Sequence, residues 1–204
     1  MKTLKLIIYF MILFGLMSCS SIDSSFKNFE SLQKIKPKRL KQGDTIGLVS
    51  PASYVTDAQL LESKTNLENL GFRVKYNERI KDKYGYLAGS DSARAEDLNS
   101  MFADKNIDAI MAVRGGYGCA RMLDFIDYNL IKKNPKIIIG YSDITSLLYA
   151  IYSKTGLVCF HGPVGTSTFN DYSISNTKNI LMDATPNYEM KNLYMDSDQI
   201  EIIK

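Results

Sequence analysis

Between residues 40 and 163, short apolar runs alternate with stretches whose apolar residues recur at helical spacing. Thr45-Ile46-Gly47-Leu48-Val49 is a β-rich run closed by Ser50-Pro51, which predicts a buried strand followed by a turn. Residues 57–70 suit a helix that Gly71 ends, because glycine takes the left-handed conformation common after a helix C-terminus. Phe72 to Tyr76 alternates apolar and polar positions like a strand, and Lys81 to Asp91, with Tyr84, Tyr86 and Leu87 among its glycines, reads as a long loop. Ser92 can cap a helix to about Phe102, with Leu98, Met101 and Phe102 on one face. Ala109–Val113 is a second buried strand, and a helix to about Ile126 follows its glycine-rich end. Lys136–Ile139 is a further strand. The helix after it places Ile144, Leu147, Leu148 and Ile151 on one stripe and stops at Gly156. Leu157–Phe160 begins the last clear strand.

Continuous apolar strands separated by helices favour a mostly parallel sheet covered on both faces. The fold class expected is therefore α/β, a three-layer Rossmann-like or flavodoxin-like domain over residues 40–165. Right-handed crossovers bring the C-terminal ends of the strands to one edge, where α/β proteins build their sites. Residues 166–204 are less regular and more polar, and read as the end of this domain plus a connector. With 45% hydrophobic and 23% charged residues the chain can form a core, so disorder of its body is excluded.

The first residues follow another pattern. Lys2 and Lys5 precede the apolar run Leu6–Leu16, which is too short for a bilayer-spanning helix of about 20 residues and reads as a secretory signal over residues 1–18. Leu16-Met17-Ser18-Cys19 resembles the lipobox of bacterial lipoproteins, which makes Cys19 the lipidation candidate and residues 19–39 a tether. An ordinary cleaved signal with an incidental cysteine is the alternative. The lipobox implies export and a membrane anchor, facing the periplasm or the cell exterior. The whole chain carries 25 basic and 22 acidic residues, and loss of Lys2 and Lys5 leaves it near neutrality with no basic stripe, so nucleic acid is not an expected partner. Cys119 and Cys159 fall in predicted core segments and read as buried thiols, and no Cys/His spacing suggests a metal site.

Four turns share the expected sheet edge: Ser50–Ser53, Arg114–Gly118, Gly140–Thr145 and His161–Pro163. A strand turning at Gly140-Tyr141-Ser142 straight into a helix can present the Ser142 hydroxyl at its apex, with the next backbone N–H aimed at a developing oxyanion. The second glycine of the G-x-S-x-G pattern is absent, and Ser142 or Asp143 could equally cap the helix. Arg114-Gly115-Gly116-Tyr117-Gly118 either lets a ligand approach bare backbone N–H groups or is a tight structural turn; it is no nucleotide-binding signature. His161, the single histidine, could form a dyad with Ser142 or simply line the strand end.

Four ordered motifs carry a resemblance. Leu40 to Ser53, Arg114 to Gly118, Gly140 to Thr145 and Phe160 to Pro163 resemble the LD-carboxypeptidases, the serine peptidase family that includes muramoyltetrapeptide carboxypeptidases and microcin C7 immunity proteins. The resemblance implies that Ser142 is the nucleophile and that the backbone N–H groups of Asp143 and Gly116 hold the oxyanion. Arg114, Gly115, Tyr117, Ser50 and His161 are expected to line the substrate. It further implies a peptidoglycan-derived tetrapeptide substrate, release of its terminal D-alanine, and no cofactor; a homodimer is compatible with it. The family draws its catalytic Glu and His from a C-terminal domain that these residues do not include, so the expectation for this stretch alone is an incomplete or inactive hydrolase. A microcin-type immunity hydrolase and a non-catalytic muropeptide-binding lipoprotein are the alternatives.

Overall fold

A computed structural model of the chain describes residues 32–190. Its centre is a five-stranded parallel sheet of β1 (Thr45–Val49), β2 (Arg73–Lys75), β3 (Ala109–Ala112), β4 (Ile137–Gly140) and β5 (Phe160–His161), in the order β2-β1-β3-β4-β5. This is the flavodoxin-like order, and the direction of winding reverses between β1 and β3.

The continuous apolar runs are explained by burial on both sides. Ile46 and Leu48 of β1, Met111 of β3, and Ile137 and Ile139 of β4 point into one apolar cluster with Leu60, Leu67 and Leu181. Their neighbours Val49, Ile110, Ala112 and Ile138 point into the other, with Leu98, Phe102, Leu147 and Ile151. Alternation by two thus survives, but both sets are apolar because helices cover both faces. Gly47 belongs to the second side, where a side chain would start 3.0 Å from the Met101 sulfur.

Helix α1 (Asp57–Asn69) begins with a reciprocal capping box: Gln59 N–H donates to Thr56 Oγ1 at 3.2 Å, and Thr56 N–H to Gln59 Oε1 at 3.0 Å. Helix α2 (Asp91–Ala103) is capped by Ser90, not Ser92. Gly89, at φ +99°, turns the chain just before it, and the extended backbone of Ser90 lets its hydroxyl reach Ala93 N–H. The helix expected after Gly118 is instead a 3₁₀ run, Cys119–Phe125, whose buried residues Cys119 and Met122 lie three apart as that tighter helix requires. A short helix α3 (Tyr128–Lys133), capped by Asp127, follows where none was expected. Helix α4 (Ile144–Thr155) ends at left-handed Gly156, as its pattern indicates.

The last strand differs from expectation. Leu157 bridges to Ile35, with Ile35 N–H on Gly156 O at 2.8 Å and Val158 N–H on Ile35 O at 2.9 Å, so only Phe160 and His161 pair with β4. Ile35 lies in the stretch expected to be a tether, and its backbone is part of the fold. Helix α5 (Asp171–Lys178) and the wide turn Asn179–Asp183 bring Leu181 onto the sheet, where its carbonyl accepts from Leu40 N–H. Within Lys81–Asp91, Leu87 bridges back to Ser53, which fixes that loop against the turn after β1. Cys19 and the signal and lipobox readings lie outside the described residues. Among the described residues no helix is long and apolar enough to cross a membrane.

Candidate active site

Strand β4 ends at Gly140 and helix α4 starts at Ile144, leaving three residues to reverse the chain. A Cβ on Gly140 would sit 2.8 Å from Ile144 Cγ2, so the helix can begin this close only over a glycine. Ser142 absorbs the reversal at φ +63°, a left-handed conformation that strains a non-glycine residue and recurs where function holds it in place. Its side chain is exposed, and among the described residues its hydroxyl makes no hydrogen bond. The helix-capping alternative does not hold. Asp143 has right-handed helical backbone and no capping hydrogen bond; its carboxylate accepts from Cys119 N–H at 2.9 Å instead. Ile144 N–H and Thr145 N–H close the turn on Tyr141 O and Ser142 O.

The glycine-rich loop after β3 passes directly beside this apex. A Cβ on Gly115 would start 3.0 Å from Ser142 Cβ and 3.3 Å from its Oγ. Gly116, at φ +139°, is pressed on the other side, where a Cβ would lie 1.8 Å from Ser53 Oγ. Ser53 donates that hydroxyl to Gly115 O at 2.8 Å, which locks the loop to the turn after β1. The backbone N–H groups of Gly116 and Asp143 meet no protein acceptor among the described residues. An exposed hydroxyl flanked by unengaged N–H groups is an arrangement that can attack a carbonyl and stabilise the resulting oxyanion.

The remaining candidates divide. Arg114 is half-buried at the end of β3, and Tyr117 is exposed on the loop. His161 pairs with Gly140 across the sheet and meets the Tyr141 ring edge-on, 6.4 Å between centroids, without a hydrogen bond to Ser142. It borders an apolar groove of about 320 Å³ with Phe160, Pro163, Tyr172 and Ile180. Ser50 sits apart: it is 5% exposed, lines a small internal space with Arg94 and Asp97, and its hydroxyl is buried without a hydrogen-bond partner among the described residues. Cys119 and Cys159 are free thiols. Burial pushes both upward in pKa, Cys159 to about 12, so neither has thiolate character near neutrality. Among the described residues no group of His, Cys, Asp and Glu side chains is placed to hold a metal ion.

Two contributors carry little signal in the sequence. Ser53 stands in the Ser50–Ser53 turn, but nothing in its spacing points to the glycine-rich loop it holds. Arg94 occupies the buried stripe of α2 beside Leu98, Met101 and Phe102, and a cation in an apolar stripe is the one sign of it.

Residues 46–162 match the family model described as the LD-carboxypeptidase N-terminal domain. The chain is 47% identical over 129 residues to a Bacillus subtilis protein named "Probable murein peptide carboxypeptidase", covering 63% of this chain and 40% of that one. It is 37% identical over 136 residues to the microcin C7 self-immunity protein MccF of Escherichia coli, covering 65% and 40%. The solved apo structure of wild-type MccF superposes with a TM-score of 0.69 at 32% identity, covering 72% of this chain and 47% of that one. An MccF-like protein from Bacillus anthracis gives 0.68 at 35% identity, with the same coverage. The chain spans about two fifths of the length of the curated relatives it matches. With over half of its residues inside the family model and the same parallel sheet as these solved relatives, the chain belongs to the LD-carboxypeptidase family and carries that family's N-terminal domain.

Proposed function

We propose that this domain supplies the nucleophile and oxyanion donors of a serine-type LD-carboxypeptidase that removes the terminal D-alanine from peptidoglycan tetrapeptides. The observation that carries the reading is Ser142, exposed at φ +63° between a strand end and a helix start, with Gly115 against its side chain. In the reaction, Ser142 Oγ attacks the carbonyl before the terminal D-residue and loses its proton to a general base. The carbonyl oxygen becomes an oxyanion that accepts from the N–H of Asp143 and of Gly116. Collapse expels the amine of D-alanine, which takes a proton, and leaves an acyl-enzyme. Water then attacks the ester and regenerates Ser142. Arg114, Tyr117 and His161 line the approach. By the family resemblance the base and its partner are a Glu and a His of the C-terminal domain, so turnover belongs to the protein at its native length.

The direct test is chromatographic detection of free D-alanine from a muropeptide tetrapeptide, with Ser142→Ala as control. Release that vanishes in Ser142→Ala supports the proposal. A wild type that releases none overturns it. The likeness to MccF favours one rival, an amide hydrolase of the immunity type; solved MccF structures hold aspartyl sulfamoyl adenosine and glutamyl sulfamoyl guanosine. Cleavage of a peptidyl-nucleotide in preference to the tetrapeptide would select it. Ligand binding unaffected by Ser142→Ala, with no cleavage, would select the muropeptide-binding lipoprotein. Anchoring through Cys19 is part of the proposal, and incorporation of labelled palmitate that is lost in Cys19→Ala tests it.

A further inference from the structure

We infer that Arg94 is the positioning residue that sets the oxyanion side of this site. The inference rests on the reading of Ser142 as nucleophile. Arg94 is 2% exposed, at the N-terminal end of the buried stripe of α2. Its Nη1 donates to Pro51 O, in the turn after β1, and to Gly118 O, in the loop after β3, the latter at 3.0 Å. Its Nη2 pairs with the Asp91 carboxylate, whose other oxygen accepts from the Arg121 Nη2 at 3.0 Å. One buried cation therefore ties together the turns after the two strands between which the winding reverses.

Both loop contacts are to carbonyl oxygens, so Arg94 holds these two turns by their backbone. Gly118 stands two residues from Gly116. Its neighbour Cys119 donates its N–H to the carboxylate of Asp143, the residue whose own N–H is the second proposed oxyanion donor. A path of hydrogen bonds thus runs from Arg94 through Gly118 and Cys119 to Asp143, while Ser53 holds Gly115 from the other side. Burying an arginine beside a half-buried carboxylate costs desolvation that apolar packing of similar volume would avoid, so its presence here is better explained by the geometry it imposes. The planar guanidinium spans three acceptors in fixed directions; a lysine ammonium supplies charge without that fork. Gly118 is matched to it, since a Cβ there would lie 3.2 Å from Arg94 Nη1 and 2.7 Å from Leu87 Cδ2.

The test compares Arg94→Lys and Asp91→Asn with wild type at native length, in two readouts. The first is the ¹H–¹⁵N spectrum, followed at the amides of Gly116, Cys119 and Asp143. The second is kcat and KM for D-alanine release. The expected result is displacement of those three amides with those of α1 unmoved, and a fall in kcat of at least about tenfold with KM changed much less, the signature of misplaced groups. Unmoved loop amides together with wild-type kcat would overturn the inference. If wild type itself releases no D-alanine, the nucleophile reading fails separately, and the amides alone decide whether Arg94 positions the loop. If Arg94→Lys does not fold, the same two outcomes are read in Asp91→Asn, which keeps the arginine and weakens its anchor.

Discussion

The carboxylate of Asp143 holds the backbone N–H of Cys119 at 2.9 Å, so the side chain of the residue after Ser142 is bound across the site to the loop after β3 and does not cap its own helix. That bond couples the strained turn to the glycine-rich loop. Replacement by alanine leaves the Cys119 N–H, in a buried residue, without its acceptor, and the expected loss is about 1–3 kcal/mol in urea unfolding. Asp143→Asn retains an acceptor oxygen and should lose clearly less. Equal losses in the two variants would mean that the bond contributes nothing.

The strain at Ser142 predicts a difference between two inactive variants. Alanine keeps the Cβ that the left-handed backbone disfavours, whereas glycine removes it. Ser142→Gly should therefore be more stable than Ser142→Ala by about 1 kcal/mol, read as a higher Tm under identical conditions. A glycine variant that melts below the alanine variant would contradict strain at this position.

Gly116 and Gly85 separate crowding from conformation. Both have positive φ, but a Cβ on Gly85 meets nothing within 4 Å, while one on Gly116 would lie 1.8 Å from Ser53 Oγ. Gly85→Ala should lose only the conformational energy, about 1 kcal/mol, and keep activity. Gly116→Ala must push Ser53 or the loop aside, so D-alanine release should fall at least about a hundredfold even where the protein remains folded. Comparable kcat/KM in the two variants would remove Gly116 from the site.

Asp97 gives a pH dependence with a definite sign. Burial lifts its carboxyl to about 6, against the pull of the Asn77 amide and the Arg79 charge. The unfolded side chain titrates near 4, so between these values the native state holds a proton that the unfolded state has released. This residue's contribution to stability therefore falls as pH rises from about 4 to about 6, by roughly 2–3 kcal/mol, and is constant above. Asp97→Asn can still accept from Asn77 and should raise Tm relative to wild type at pH 7 but not at pH 4. A Tm difference independent of pH would show that the Asp97 carboxyl titrates alike in the folded and unfolded states.

Much of this is legible in the residues. The runs Ile46–Val49, Ala109–Ala112 and Ile137–Ile139 announce central parallel strands because two apolar layers leave polar side chains no face to occupy. Ile144, Leu147, Leu148 and Ile151 likewise announce α4. What escapes depends on partners distant in sequence. Leu157 reads as strand from its own run, yet its bridge is to Ile35, in a polar stretch with no strand pattern. Ser90 replaces Ser92 as a cap because the turn at Gly89 decides which hydroxyl meets a free N–H. At the site, the turn of Gly140–Ser142 is readable, but local pattern cannot choose between cap and apex. The choice comes from Asp143 sending its carboxylate to Cys119, a contact across 24 positions. Arg94 gives only the signal of a charge in an apolar stripe; its two loop acceptors are backbone carbonyls that no side-chain pattern records.

The central claim, that Ser142 is the nucleophile, is tested most directly by covalent capture. The protein at native length is treated with a fluorophosphonate, which phosphonylates activated serines, and the modified peptide is identified by tandem mass spectrometry. The account predicts one adduct on the peptide containing Ser142, absent in Ser142→Ala and slowed in Gly116→Ala. An adduct at another serine, or no adduct in protein that releases D-alanine, would contradict it.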